Sequence, residues 1–214
     1  YKGLINVDTV NGMERDLAKR ADQVFATAIG LYDTLCAYNE DAVMLPNGVN
    51  FEHFHSAAGG KLPVPEDMKG LAHPIIGFSG MLQECIDYSL IEQVAKERPD
   101  WSVVLVGGPM PGVNLDFLRQ YPNVHFLGMK PYAEMPAYLG AFDVCLNVFR
   151  SGDLAKDVSP LKFFEYMATG KPVVSTPQPE QVLGYSDAVY ISYGAADFVE
   201  KCEQALSEPD DEKT

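Results

Sequence analysis

From Pro74 onward, short uninterrupted apolar runs alternate with stretches whose apolar residues recur at helical spacing. Residues 74–79, 103–106, 124–127, 144–148, 172–175 and 189–191 read as strands, because each is a compact run rich in Val, Ile, Leu and Phe. Between them, helices are expected over about 87–98, 115–120, 133–141, from Pro160, over about 179–184, and from Ala195. The 87–98 helix carries Leu90, Ile91, Val94 and Ala95 as its apolar stripe. Strands without polar alternation need cover on both faces, which is the signature of a parallel sheet between helical layers. The expected class is therefore α/β: a doubly wound, Rossmann-like parallel sheet.

The first 73 residues break this rhythm. A helix near 12–21, a strand at 24–28, a short helix ending near Tyr38 and a strand at 42–45 precede the turn Pro46-Asn47-Gly48. A loop containing Gly59, Gly60, Pro63 and Pro65 follows. Residues 1–45 read as the tail of a preceding domain, 46–73 as a linker, and 74–214 as the α/β domain. The opening Tyr1-Lys2-Gly3-Leu4 reads as internal to a longer protein.

Composition narrows the possibilities. Of 214 residues, 47% are hydrophobic and 21% charged, as expected for a chain with a substantial core. Thirty acidic against sixteen basic side chains leave a formal charge of −14, which repels nucleic acid and anionic lipid. No apolar run reaches the ~20 residues of a membrane span. Cys36, Cys85, Cys145 and Cys202 form no CxxC pair, so free thiols in a reducing cytoplasm are expected.

In an open α/β sheet, ligands bind beyond the carboxyl ends of the strands. That directs attention to Gly80, Gly107-Gly108, the stretch Gly128 to Tyr132, and Arg150 to Glu165. The last is the richest. Ser159 suits an N-cap, Pro160 the first helical position, and Gly170 the carboxyl cap. Leu161, Phe164 and Ala168 form the expected buried face, with Phe163 and Met167 beside it. Lys162, Glu165 and Thr169 fall on a narrow polar stripe. The amino end of such a helix favours a phosphate beyond Ser159, Lys162 adds a point charge, and Glu165 can accept from two sugar hydroxyls. The plainer reading is an ordinary capped helix with a Lys162–Glu165 surface pair.

Other features are weaker. Residues 77–80 lack the full dinucleotide fingerprint, so Gly77 and Gly80 read as tight packing positions. Gly107 and Gly108 fit either a ligand's close approach or an ordinary turn. His53 and His55 sit in a segment read as irregular, and no metal site is expected of them. Asp22 and Asp143 suit local turn roles, and Tyr132 and Tyr138 suit core or rim packing.

Taken in order, these segments resemble the group 1 (family-four-like) glycosyltransferases of the GT-B fold. The stretch 20–28 is similar to the last strand of that family's acceptor domain, and Leu45-Pro-Asn-Gly-Val-Asn50, continued to Phe54, to its interdomain segment. Residues 159–174 resemble its donor-site helix and following strand, and 123–128 add to the match. The resemblance implies a two-domain enzyme that takes a sugar from a nucleotide diphosphate sugar, UDP being favoured, with retention and no required metal or other cofactor. It implies that Asp157 faces the donor sugar and Glu165, eight positions on, holds the ribose hydroxyls. Backbone amides around Leu161 and Lys162 would meet the diphosphate, and Met129, Lys130 and Tyr132 would border the base. The acceptor, a glycan or lipid-linked sugar, would bind through the other domain, in a cytoplasmic enzyme.

Two departures stand out. Where the family commonly has Arg after the first-strand glycine and Lys five residues later, this chain has Met81 and Ile86. They fit either a subgroup resembling enzymes of exopolysaccharide or teichuronic-acid assembly, or a non-catalytic sugar-nucleotide-binding relative. A sugar-nucleotide 2-epimerase of the same fold is a third reading, but no cluster of histidines and acids accompanies it.

Overall fold

The computed structural model describes residues 6–152 and 157–207. Six parallel strands form the main sheet in the order β5-β4-β3-β6-β7-β8. They are β3 (Ile75–Ser79), β4 (Ser102–Val106), β5 (Val124–Gly128), β6 (Val144–Asn147), β7 (Val173–Ser175) and β8 (Tyr190–Ile191). A separate parallel pair joins β1 (Val24–Ala26) to β2 (Ala42–Met44).

Side-chain alternation divides each strand between two cores. Ile76, Phe78, Val103, Leu105, Val144 and Leu146 face one core. It is roofed by α4 (Tyr88–Glu97) and by α8 (Ala195–Ser207), which presents Phe198, Val199, Cys202 and Ala205. Ile75, Val104, Val106, Cys145 and Val173 face the other core, under α6 (Met135–Gly140) and α7 (Leu161–Ala168). With both faces covered there is no polar alternation to find, which is why the strands read as continuous apolar runs. The stripe expected on α4 is the one that is buried, and Asp87 caps that helix by accepting from the Ser89 N–H. Gly77 sits where a Cβ would come within 2.2 Å of the buried Phe142 ring, so the strand has no room for a side chain there.

The strand order reverses between β3 and β6, which makes that junction the topological switch point. At its amino side, the Asp143 carboxylate accepts from the Ile75 N–H and bonds His73, both at 2.6 Å. The local turn role expected of Asp143 is thus a tie between two adjacent strands.

The amino-terminal part differs from expectation in detail. Helix α1 runs over Val7–Arg20, beginning earlier than the apolar pattern suggests because Asn6 caps it. Ile29–Cys36 forms α2. A five-residue helix, α3 (Phe51–His55), occupies the segment read as irregular; Asn50 caps it by accepting from the His53 N–H. Its aromatic and His residues have modest helix propensity, so packing rather than local preference holds it. The 116–119 stretch forms α5 (Asp116–Arg119), and the expected helix at 179–184 is a 3₁₀ segment, Glu180–Tyr185.

Candidate functional site

The site is built where the carboxyl ends of β3, β4 and β5 converge on the amino end of α7. Gly80, Gly107 and Gly128 all take positive φ there. A Cβ on Gly107 would lie 1.8 Å from the Gly80 carbonyl oxygen. The Gly107 N–H donates to Gly128 and the Gly80 N–H to Val106, both at 2.8 Å. At Gly107, backbone from the neighbouring loop already fills the space a side chain would need. Gly108 is looser, facing only the Met129 side chain.

Helix α7 begins one residue later than the sequence suggests. Pro160, extended at φ −80° and ψ 95°, occupies the N-cap position, and no side chain caps the helix. Ser159 is therefore not the cap. Its hydroxyl accepts from the Asn47 N–H, and its carbonyl accepts from the Asn47 amide, each at 3.2 Å. Because Asn47 takes the serine hydroxyl, the helix's first turn keeps amide donors that a capping serine would have satisfied. Gly170, at φ 71°, follows the carboxyl end as expected.

The buried face of α7 also differs. Phe163, Tyr166 and Ala168 are buried, Phe164 and Met167 pack beside them, and Leu161 is 46% exposed. The expectation for Leu161 fails because Phe163 and Tyr166, three apart, fix the face that meets the sheet. On the polar side the Lys162 side chain runs against Gly80, and its ammonium lies 3.8 Å from the Glu165 carboxylate. The Lys162 side chain is 41% exposed and that of Glu165 only 12%. This is no ordinary surface pair: the acid is largely withdrawn from water. Burial raises the Glu165 pKa, opposed by the charges of Lys162 and His53. Thr169 is buried and donates to the Tyr166 carbonyl.

His53, at which no metal site is expected, packs on the loop after β5. Its ring stacks on Tyr132 at 4.6 Å, and its Nε2 lies 3.1 Å from the Tyr132 carbonyl. Helix α3 thereby links the 46–73 segment to the loop after β5. The Lys130 ammonium pairs with Asp67 at 2.5 Å, and Asp67 also accepts from the Tyr138 hydroxyl. Met129 and Tyr132 remain exposed at the rim. Asp157 is exposed and adjoins residues 153–156, which lie outside the described residues. Sequence reasoning missed His53, Asn47 and Tyr166; only the Asn-Gly turn carried a local signal for any of them.

A crevice of about 470 Å³ lies beside this end, lined by Leu82, Gly107, Asp116, Arg119 and Gly128 and not by Lys162 or Glu165. A larger one of about 740 Å³, including Lys171, Pro172 and Asp187, lies at the amino ends of β7 and β8. The carboxyl end is favoured despite the smaller volume. There a helix amino end, a cation and a desolvated carboxylate meet, whereas the larger crevice lies against the carboxyl end of α7. Among the described residues no three His, Cys, Asp or Glu side chains gather as metal ligands, and no helix is long and apolar enough to cross a membrane.

The two departures are not equivalent. Ile86 is 3% exposed within the core, whereas Met81 is 39% exposed. Ile86→Lys is therefore expected to destabilise the fold by about 3 kcal/mol, since it buries a charge without a partner. Met81→Arg, at an exposed position, is expected to fold normally. Urea unfolding checks the pair; an Ile86→Lys variant as stable as the parent would refute the contrast.

A family model described as glycosyl transferases group 1 matches residues 73–208. The chain is 28% identical over 212 residues to TuaH of Bacillus subtilis (strain 168), a protein named for glycosyl transfer in teichuronic acid biosynthesis. That match covers 95% of this chain and 53% of TuaH. Among solved structures, HepE of Anabaena in complex with UDP-glucose superposes with a TM-score of 0.72 at 18% identity, over 98% of this chain and 60% of HepE. The C-terminal domain of LpcC, a glycosyl transferase group 1 family protein of Francisella tularensis, superposes at 0.56 with 20% identity, over 78% of this chain and 91% of that domain. The chain thus spans little more than half the length of TuaH and HepE.

Proposed function

Because the chain belongs to the group 1 glycosyltransferases, we propose that it is the nucleotide-sugar-binding half of an enzyme that moves a sugar from a nucleotide diphosphate donor to a glycan or lipid-linked acceptor. The observation that carries this reading is the desolvated Glu165 beside Lys162, on a helix whose amino end meets Gly80 at the switch point. HepE's complex with UDP-glucose and TuaH's naming for teichuronic acid biosynthesis support it, with a UDP-sugar as donor and a polysaccharide as product in this reading.

In this reading Glu165 accepts from the two ribose hydroxyls. The diphosphate lies over Gly80, against Lys162 and the first-turn amides of α7 near Ser159, Pro160 and Leu161. Asp157 faces the donor sugar. Gly107 and Gly108 border the diphosphate, and Met129, Lys130 and Tyr132 border the base, with the Lys130 charge already engaged by Asp67. When the C1–oxygen bond breaks, its electron pair leaves on the diphosphate. The helix end and Lys162 stabilise that charge where it develops, which is the role a metal ion would otherwise fill. The acceptor oxygen then bonds C1 with retention of configuration, its proton passing to the departing diphosphate.

Residues 1–45 are the end of an acceptor domain in this proposal, and 46–73 the linker. Val7, Val10, Leu17, Phe25 and Val43 expose apolar side chains on α1, β1 and β2, the surface that the rest of such a domain would cover. The acceptor site lies in that domain. This chain by itself is expected to bind nucleotide and to transfer nothing, in an enzyme of the cytoplasm.

Calorimetric titration with UDP and with GDP tests the reading. Saturable UDP binding at millimolar concentration or below, without sugar transfer from UDP-glucose, is the expected result. Transfer by this chain by itself would refute the half-enzyme claim. Failure of both nucleotides, here and in a full-length protein, would favour the non-catalytic alternative that Met81 and Ile86 suggest.

A further inference from the structure

Strands β3 and β6 part company early. Their ladder pairs only Ile76 with Val144 and Gly77 with Cys145. Beyond that point β6 stays with β7, through Asn147 opposite Ser175. On its other side β3 remains paired with β4, and the Gly80 N–H donates to the Val106 carbonyl. Polar groups of successive strand residues point to alternate edges, so the N–H and C=O of Ser79 face the gap that β6 has left. Ser79 is fully buried, so its N–H and C=O need partners within the protein.

A single side-chain atom closes the gap. The Ser79 N–H donates to the Tyr166 hydroxyl at 2.7 Å, and that hydroxyl donates to the Ser79 carbonyl at 3.0 Å. One O–H acts as acceptor and donor at once, replacing the missing strand for one residue. Burial pushes the phenol's pKa upward, so the proton it needs for the second bond stays in place across the working range of pH. Tyr166 lies on α7 directly after Glu165 and one turn beyond Lys162, and Lys162 touches Gly80, the residue after Ser79. The bond pair therefore joins the two elements between which the charged groups are displayed.

We propose that Tyr166 is a positioning residue: its hydroxyl clasps α7 to the end of β3 at the switch point and thereby presets Lys162 and Glu165 for the nucleotide diphosphate. The effect on nucleotide rests on the donor-site reading above; the clasp itself does not.

Tyr166→Phe keeps the buried ring and removes only the hydroxyl. Amide hydrogen exchange is expected to accelerate at least about tenfold at Ser79 and along α7, relative to Val103–Val106 of β4, as follows from losing both hydrogen bonds of the hydroxyl. The Kd for UDP is expected to rise about tenfold in the same variant. Val94→Ala, which opens the opposite core at a buried α4 residue, supplies a variant destabilised without touching α7; its Kd for UDP should match the parent's. Unchanged exchange at Ser79 and α7 overturns the clasp. Faster exchange with an unchanged Kd overturns the positioning role, as does an equal loss of affinity in Val94→Ala. If the parent binds neither UDP nor GDP, the donor-site reading fails, and the exchange result alone upholds or overturns the clasp.

Discussion

Glu165→Ala is expected to weaken UDP binding by roughly 1.5–3 kcal/mol, or about ten- to 150-fold in Kd, the usual loss when a charged hydrogen-bond acceptor is removed. Glu165→Gln should lose most of the same affinity, because an amide replaces one acceptor oxygen with a donor. Stability should move the other way. Burial raises the Glu165 pKa in the folded chain, so the folded state holds this proton more tightly than the unfolded one. Stability contributed by this group is then greatest when it is protonated and falls as pH rises from the ordinary glutamate value through the raised one. Glu165→Gln removes that charge. Its Tm should exceed the parent's at pH 8, with the gap closing as the pH is lowered. Calorimetry and thermal melts at several pH values check both halves. A glutamine variant that binds UDP as tightly as the parent would remove Glu165 from the site.

The second large effect falls on the fold. Gly107→Ala should destabilise the chain by about 3 kcal/mol or more and abolish nucleotide binding. Two physical causes act together: φ at this position is 143°, and the new methyl would lie 1.8 Å from the Gly80 carbonyl oxygen. Neither loop can retreat without breaking the Gly107–Gly128 or Gly80–Val106 hydrogen bond. Gly108→Ala offers the contrast. Its methyl would meet only the Met129 side chain at 3.2 Å, a flexible neighbour able to shift, so a cost under about 1 kcal/mol is expected. Urea unfolding of the two variants separates them, and similar midpoints would show that the Gly80–Gly107 contact relaxes more easily than its geometry suggests.

Some of this was legible in the residues. The apolar runs that became β3, β4, β5 and β6, and the α4 stripe, depend on local periodicity and on having helices on both sheet faces. Gly170 followed α7 as its type demands. Lys162 and Glu165 fall three apart on one helix, so their pairing followed from helical geometry alone. Other readings went astray where two distant segments compete for one group. Ser159 has every local attribute of an N-cap, but Asn47, over a hundred positions earlier, takes its hydroxyl. Leu161 is as apolar as its neighbours, yet it is exposed because the Phe163 and Tyr166 rings orient the helix.

Sequence alone determined the architecture, the elements that carry the site and the family resemblance, because each rests on periodicity or on residue types in a fixed order. Folding added what depends on juxtaposition. It withdrew Glu165 from water beside Lys162, stacked His53 on Tyr132, and set two glycine backbones in contact. It also placed the Tyr166 hydroxyl in the gap between β3 and β6. None of these leaves a trace in local pattern, since each is a contact between segments whose separation along the chain says nothing of their distance in space.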